Sequence, residues 1–79
     1  MSSESEVKTL NKISFEALRK NIKGLRVKAG YTQVQAAEEL ELTKETIYRW
    51  EKEPQKMPIV KLAVLANLYN CSVNDFFAE

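Results

Sequence analysis

Seventy-nine residues, 44% of them apolar, are enough for one small core and little more. His is absent and Cys71 is the single cysteine, so an internal disulfide and a Cys/His zinc set are both excluded; no cofactor and no catalytic set is expected. A formal net charge of +1 gives no global preference for a polyanion. The chain has no apolar run long enough to span a membrane, and its start, MSSESEVKTLNK, lacks the basic-then-apolar order of a secretory signal; a reducing cytoplasm is expected.

Residues 1–12 are rich in Ser, Glu and Lys with no sustained period, and are expected to form a flexible tail. The folded domain is expected over residues 13–79. Its first helix should begin at a Ser14 cap, with Ile13 and Leu18 at the staple positions. Phe15, Leu18, Ile22, Leu25 and Ala29 follow three and four apart and predict one buried stripe, interrupted by the poor helix former Gly24. Gly30 is the natural stop.

A second helix is predicted at about 33–40, opened by a capping box between Thr32 and Gln35. Its apolar stripe of Ala36, Ala37 and Leu40 is narrow and mostly small, which lets another helix axis approach closely. The amides of its first turn suit a phosphate, and Gln33 is placed to add a hydrogen bond. A third helix is predicted at about 44–52 behind a Thr43 cap, with Ile47 and Trp50 on one face. Lys44, Glu45, Thr46 and Arg49 occupy the rest of its surface, and Tyr48 lies nearer the flank. Two helices joined by so short a turn, with small residues at the crossing, describe a helix-turn-helix.

Pro54 and Pro58 disfavour helix immediately before them, so residues 53–57 should be a loop. A fourth helix is expected from Pro58, burying Leu62, Leu65, Ala66 and Tyr69 and ending at Asn70 in a left-handed conformation. Cys71 reads as a small buried apolar residue. Ser72 with Asp75 suggests a cap for a last short helix carrying Phe76 and Phe77, of which one should join the core and the other remain available to a partner.

Charge is unevenly distributed. Residues 14–31 carry Arg19, Lys20, Lys23, Arg26 and Lys28 against Glu16, whereas residues 33–41 carry Glu38, Glu39 and Glu41 with no base. The acidic end of the second helix is expected to face away from the basic surfaces.

An ordered set of marks runs through the chain: Arg26 in GLRVKAGYTQ, Thr32 with Gln33, Ala37 at the crossing, Leu42 in the turn, then Ile47, Trp50, Glu51, Pro58 and the ending LYNCSVNDFF. On these residues the stretch from about Leu18 to Phe77 resembles the Cro/cI-type (XRE-like) helix-turn-helix family of phage repressors and their bacterial relatives. The resemblance implies an all-α fold, a compact five-helix lambda-repressor-like DNA-binding domain. It also implies a sequence-specific transcriptional regulator, a repressor, that inserts the third helix in the major groove of a double-stranded operator. The expected location is the cytoplasm of a bacterium or of a phage-infected host.

Residue roles follow from that expectation. Lys44 or Arg49 can donate to guanine, Glu45 can accept from cytosine, and Thr46 can offer hydroxyl or methyl to a base edge. Gln33, Arg26, Tyr48, Lys52 and Lys56 are the expected phosphate contacts. Arg26 and Glu51 lie at family positions that form an ion pair, with a mainly orienting role. Relatives pair as two-fold dimers through the C-terminal end, so Phe76 and Phe77 are the expected homodimer contacts. Neither a membrane nor a small molecule is an expected partner. Two departures are visible: Glu41 and Glu53 stand where relatives carry Gly. The competing reading is a protein-interaction adaptor, anti-repressor or antitoxin-like, suggested by the low net charge, the acidic run and Glu45 among the base contacts.

Overall fold

The computed structural model describes residues 15–78, so the expected tail, the Ser14 cap and the Ile13 staple lie outside the described residues. Five α-helices follow one another: α1 (Phe15–Lys28), α2 (Gln33–Glu39), α3 (Lys44–Lys52), α4 (Ile59–Leu68) and α5 (Val73–Phe76), with a 3-10 turn at Pro54–Lys56 between α3 and α4. The fold is all-α.

Each boundary has a local cause. Thr32 Oγ1 accepts the Gln35 amide at 3.0 Å while Gln35 Oε1 accepts the Thr32 amide at 2.9 Å, so the predicted capping box opens α2. Thr43 Oγ1 accepts the Thr46 amide at 3.2 Å and opens α3. Asp75 Oδ2 accepts the Ser72 amide at 2.9 Å before α5. Pro58 caps α4 from outside, so that helix starts one residue later than expected.

Three helices end in the same way. After α1, the Gly30 amide reaches the Val27 carbonyl and the Tyr31 amide the Arg26 carbonyl; after α2, Glu41 reaches Glu38 and Leu42 reaches Ala37; after α4, Asn70 reaches Asn67 and Cys71 reaches Ala66. This paired closure needs a left-handed residue just past each helix, and Gly30, Glu41 and Asn70 have φ of 90°, 57° and 58°. Gly and Asn take that conformation readily, whereas Glu41 carries a β-carbon there at a cost of about 1 kcal/mol. The other departure is harmless: Glu53 has φ −132°, so nothing at that position requires Gly.

The core draws on every helix: Leu18 and Ile22 from α1, Ala36 and Ala37 from α2, Ile47 and Trp50 from α3, Leu65 and Ala66 from α4 with Tyr69 just beyond it, and Phe76 from α5. One expectation about α1 needs correction. Phe15 is half exposed, because the packed length of the helix starts one turn later at Leu18. Arg26, four residues beyond Ile22, lies on the buried side with the apolar residues. Far from any local signal, Asn21 Nδ2 donates to the Phe76 carbonyl at 2.9 Å and the Ala78 carbonyl at 2.6 Å, tying α5 to α1.

Gly24 sits on the exposed side of α1, and a β-carbon there would meet nothing within 4 Å. Gly24→Ala is therefore expected to raise unfolding free energy by about 0.5–1 kcal/mol, through lost freedom of the unfolded chain alone. A urea titration measures it as a higher midpoint at unchanged slope.

Candidate nucleic-acid interface

α3 is seated by one edge. Ile47, Trp50 and Glu51, three and four residues apart, are its buried residues. At about 100° per residue the positions diametrically opposite are Glu45, Arg49 and Lys52, all exposed. Tyr48 is exposed on the flank, where the Lys52 ammonium lies 5.6 Å from its ring centre and 3.3 Å from its hydroxyl. Lys44 is exposed at the first turn; Thr46 is half buried, its hydroxyl 3.0 Å from that of Thr43. The outward centre of α3 thus holds an acid and two bases, with Lys44 and Thr46 at its margins.

The close approach of α2 to α3 follows from side-chain size. Ala36 and Ala37 are almost wholly buried, and the Leu42 amide reaches back 2.8 Å to the Ala37 carbonyl, so the turn folds tightly onto α2 before α3 begins. A larger side chain at either alanine would push the two axes apart.

Behind α3 lies a buried polar network. Arg26 Nε donates to Glu51 Oε2 at 2.6 Å, and its Nη1 donates to the Tyr31 carbonyl at 2.8 Å. Glu51 Oε1 accepts from Gln33 Nε2 at 3.1 Å and, at a longer 3.4 Å, from Arg26 Nη2. One carboxylate therefore joins the end of α1, the start of α2 and the end of α3. Both partners of the ion pair are buried, so Arg26 serves this junction and has little surface to offer a phosphate. Gln33 is half buried, and its side-chain amide gives one of its two hydrogens to Glu51, which leaves the second to offer a phosphate. Sequence reasoning found the Arg26–Glu51 pair through resemblance, but nothing in the sequence marks Gln33 or the Tyr31 carbonyl as members.

Tyr69 closes the network from the core side. Its hydroxyl is buried with no hydrogen-bond partner among the described residues, and its ring centre is 6.2 Å from that of Tyr31. Burial pushes its ionisation well above the ordinary tyrosine value; the Glu51 carboxylate adds to the rise and Arg26 opposes it. Cys71 is likewise pushed up by burial and then by Asp75, with Lys28 opposing, so it remains a thiol at neutral pH.

Acidic and basic groups are sorted around Gly30 and Tyr31. One depression there is lined by Lys23, Gln33, Val34 and Lys44, and another by Gln35, Glu38 and Glu39. The first is continuous with the start of α3. Lys56 lies further along the chain, 3.5 Å from Glu53 in an exposed pair. Phe76 is fully buried, which removes it as a dimer contact: its ring is needed to hold α5 on the body, and Phe77 is the exposed one of the two. Among the described residues no group of three His, Cys, Asp or Glu is placed to hold a metal, and no helix is long and apolar enough to cross a membrane.

The helix-turn-helix family model matches residues 22–76, from the middle of α1 to the end of α5. The chain belongs to the helix-turn-helix family. In the terms of that family, α2 and α3 are the crossing pair and α3 the helix presented outward. The HTH-type transcriptional regulator ImmR of Bacillus subtilis (strain 168) is 38% identical to this chain over 58 residues, which cover 73% of the chain and 46% of the relative. This helix-turn-helix chain thus spans about half the length of that relative. No solved structure matches it.

Proposed function

We propose that this chain is a sequence-specific double-stranded DNA-binding transcriptional regulator, a repressor that inserts α3 in the major groove and blocks polymerase at its operator. The observation that carries the reading is the seating of α3: one edge locked by Ile47, Trp50 and Glu51, the opposite face exposed and hydrogen-bonding throughout. Arg49 and Lys44 donate to guanine, Glu45 accepts from cytosine, and Thr46 contributes a methyl at the margin. Tyr48, Lys52 and Lys56 follow one phosphate backbone, and Gln33 with the amides of α2 approaches the other. Arg26 acts through Glu51, holding α3 at a set angle to α1. Its place of action is the cytoplasm of a bacterium or of an infected host, on an operator bound as a homodimer.

Selection of bound fragments from random duplex DNA tests specificity directly and yields the half-site spacing. On the selected duplex, Arg49→Ala is expected to lose about 1–3 kcal/mol and to relax preference at one base pair. Affinity should also fall steeply between 50 and 200 mM salt, roughly tenfold or more for each few phosphates neutralised. The adaptor reading draws on one observation, the carboxylate of Glu45 at the centre of the outward face. It requires that no duplex be selected and that none bind tightly at any salt.

A further inference from the structure

A cleft of about 630 Å³ opens to solvent between the end of α1, the end of α4 and the start of α5. Its volume lies within the range of small-molecule sites. Leu25, Ala29 and Leu68 give it half-buried apolar surface, and Tyr31 and Tyr69 stand in its wall. Lys28 and Asp75 also line it, both exposed. These two charges do not pair with each other: among the described residues the ion pairs are Arg26 with Glu51 and Lys56 with Glu53, and Asp75 accepts the Ser72 amide through Oδ2 alone. Both act on the Cys71 thiol, Asp75 raising its ionisation and Lys28 lowering it, so both lie close to the same part of the cleft.

We propose that the cleft binds a small zwitterion with an apolar side chain, a free α-amino acid of the size of leucine or phenylalanine. Opposite, unpaired charges in one cleft select that class. An ammonium group goes to Asp75, a carboxylate to Lys28, and the side chain covers Leu25, Ala29 and Leu68. The carbonyl ends of α1 and α4 meet at the cleft, and their negative potential adds to the hold on the ammonium group. A simple anion or a simple cation satisfies one of the two charges and is repelled by the other. A ligand of about ten non-hydrogen atoms in so open a cleft binds at about a millimolar.

Tyr31 links the cleft to α3. Its ring centre is 6.2 Å from that of Tyr69 in the cleft wall, and its carbonyl accepts from Arg26 Nη1 at 2.8 Å, within the network that anchors the end of α3. An occupant that fits the cleft as it stands favours the arrangement in which that carbonyl holds Arg26, and so favours the seated α3. The amino acid is then a co-regulator that tightens DNA binding, and by linkage the duplex tightens the hold on the amino acid by the same factor, about fivefold. This consequence rests on the proposed DNA reading, whereas binding in the cleft does not need DNA.

The full chain, without DNA, is titrated with L-leucine and L-phenylalanine over roughly 0.1–20 mM while its amide resonances are followed. Saturable shifts should appear at Lys28, Tyr31, Asn70, Cys71 and Asp75, half complete at about 1 mM. Isoamylamine and isocaproate, each a leucine with one charge removed, and glycine, which lacks the side chain, should bind roughly tenfold more weakly. Lys28→Gln, at an exposed position, should bring leucine down to the affinity of the amine without weakening the amine itself. Asp75→Asn keeps an oxygen for the Ser72 amide, so α5 stays capped, and should weaken leucine without weakening isocaproate. Both variants should keep the helical circular dichroism of the wild type. On a selected duplex, saturating leucine should raise affinity about fivefold in the wild type and leave Lys28→Gln unchanged. The inference is overturned by the absence of a saturable shift from either amino acid, by responses to the amine or the acid as strong as to leucine, or by a Lys28→Gln chain that binds leucine as the wild type does. Unchanged duplex affinity in the wild type overturns the link to α3. If no duplex binds at all, the DNA reading falls and the titration decides the cleft by itself.

Discussion

Glu51→Ala is expected to lower the unfolding free energy by about 3–5 kcal/mol, a large part of what a small domain has. The carboxylate is the acceptor for Arg26 Nε at 2.6 Å and Gln33 Nε2 at 3.1 Å, in a place where both charged side chains are only 8% exposed. Removing it leaves a guanidinium buried without its counter-charge, and desolvation of that charge is then uncompensated. A fall in melting temperature of roughly 12 °C or more should follow. A double variant, Arg26→Met with Glu51→Leu, separates the two roles of the pair. Replacing both charges with apolar groups of similar volume should return stability to within about 1–2 kcal/mol of the wild type, because no buried charge is left over. DNA affinity should remain low in the double variant, since Gln33 and the end of α3 lose their common anchor. Recovery of affinity along with stability would show that the pair has no orienting role. The resemblance alone suggested orientation as the main role; burial makes the pair structural as well.

Phe76→Ala is expected to lower stability by about 3–5 kcal/mol, and its neighbour Phe77→Ala by less than about 1 kcal/mol. Phe76 is 0% exposed and Phe77 is 44% exposed. The difference arises because α5 is only four residues long and cannot bury two adjacent side chains against one wall. Loss of the Phe76 ring also undermines the anchor of α5 on α1, where Asn21 donates to the carbonyls of Phe76 and Ala78. Urea unfolding of the two single variants measures the contrast. Equal losses would mean that α5 packs on α1 through a different face.

Much of this protein was legible in the sequence because the determining forces are local. Thr32 and Thr43 cap helices with their own hydroxyls, and Gly30 and Asn70 stop them by accepting positive φ. Apolar residues three and four apart chose the inner edges of α2 and α3, and the small side chains of Ala36 and Ala37 announced their close crossing. The outward residues of α3 could likewise be assigned as the complement of Ile47 and Trp50. Resemblance supplied the Arg26–Glu51 pair.

What tertiary structure alone decided are the questions whose answers lie far along the chain. A half-buried stripe does not say where packing begins, so Phe15 was expected inside and is outside. The hydrogen bonds of Asn21 span more than fifty residues, and no local pattern predicts them. Gln33 reads from the sequence as a first-turn residue, and only the fold brings Glu51 within 3.1 Å of its amide. The apolar residues of α4 give no hint of which side is covered, because a helix with little amphipathicity carries no directional signal; only the arrangement of its neighbours left Ile59 and Val60 in solvent. Caps, stops and periodicities are settled within a turn or two of chain. The choice of which polar groups share a buried carboxylate, and which apolar face stays open, is made only when distant segments meet.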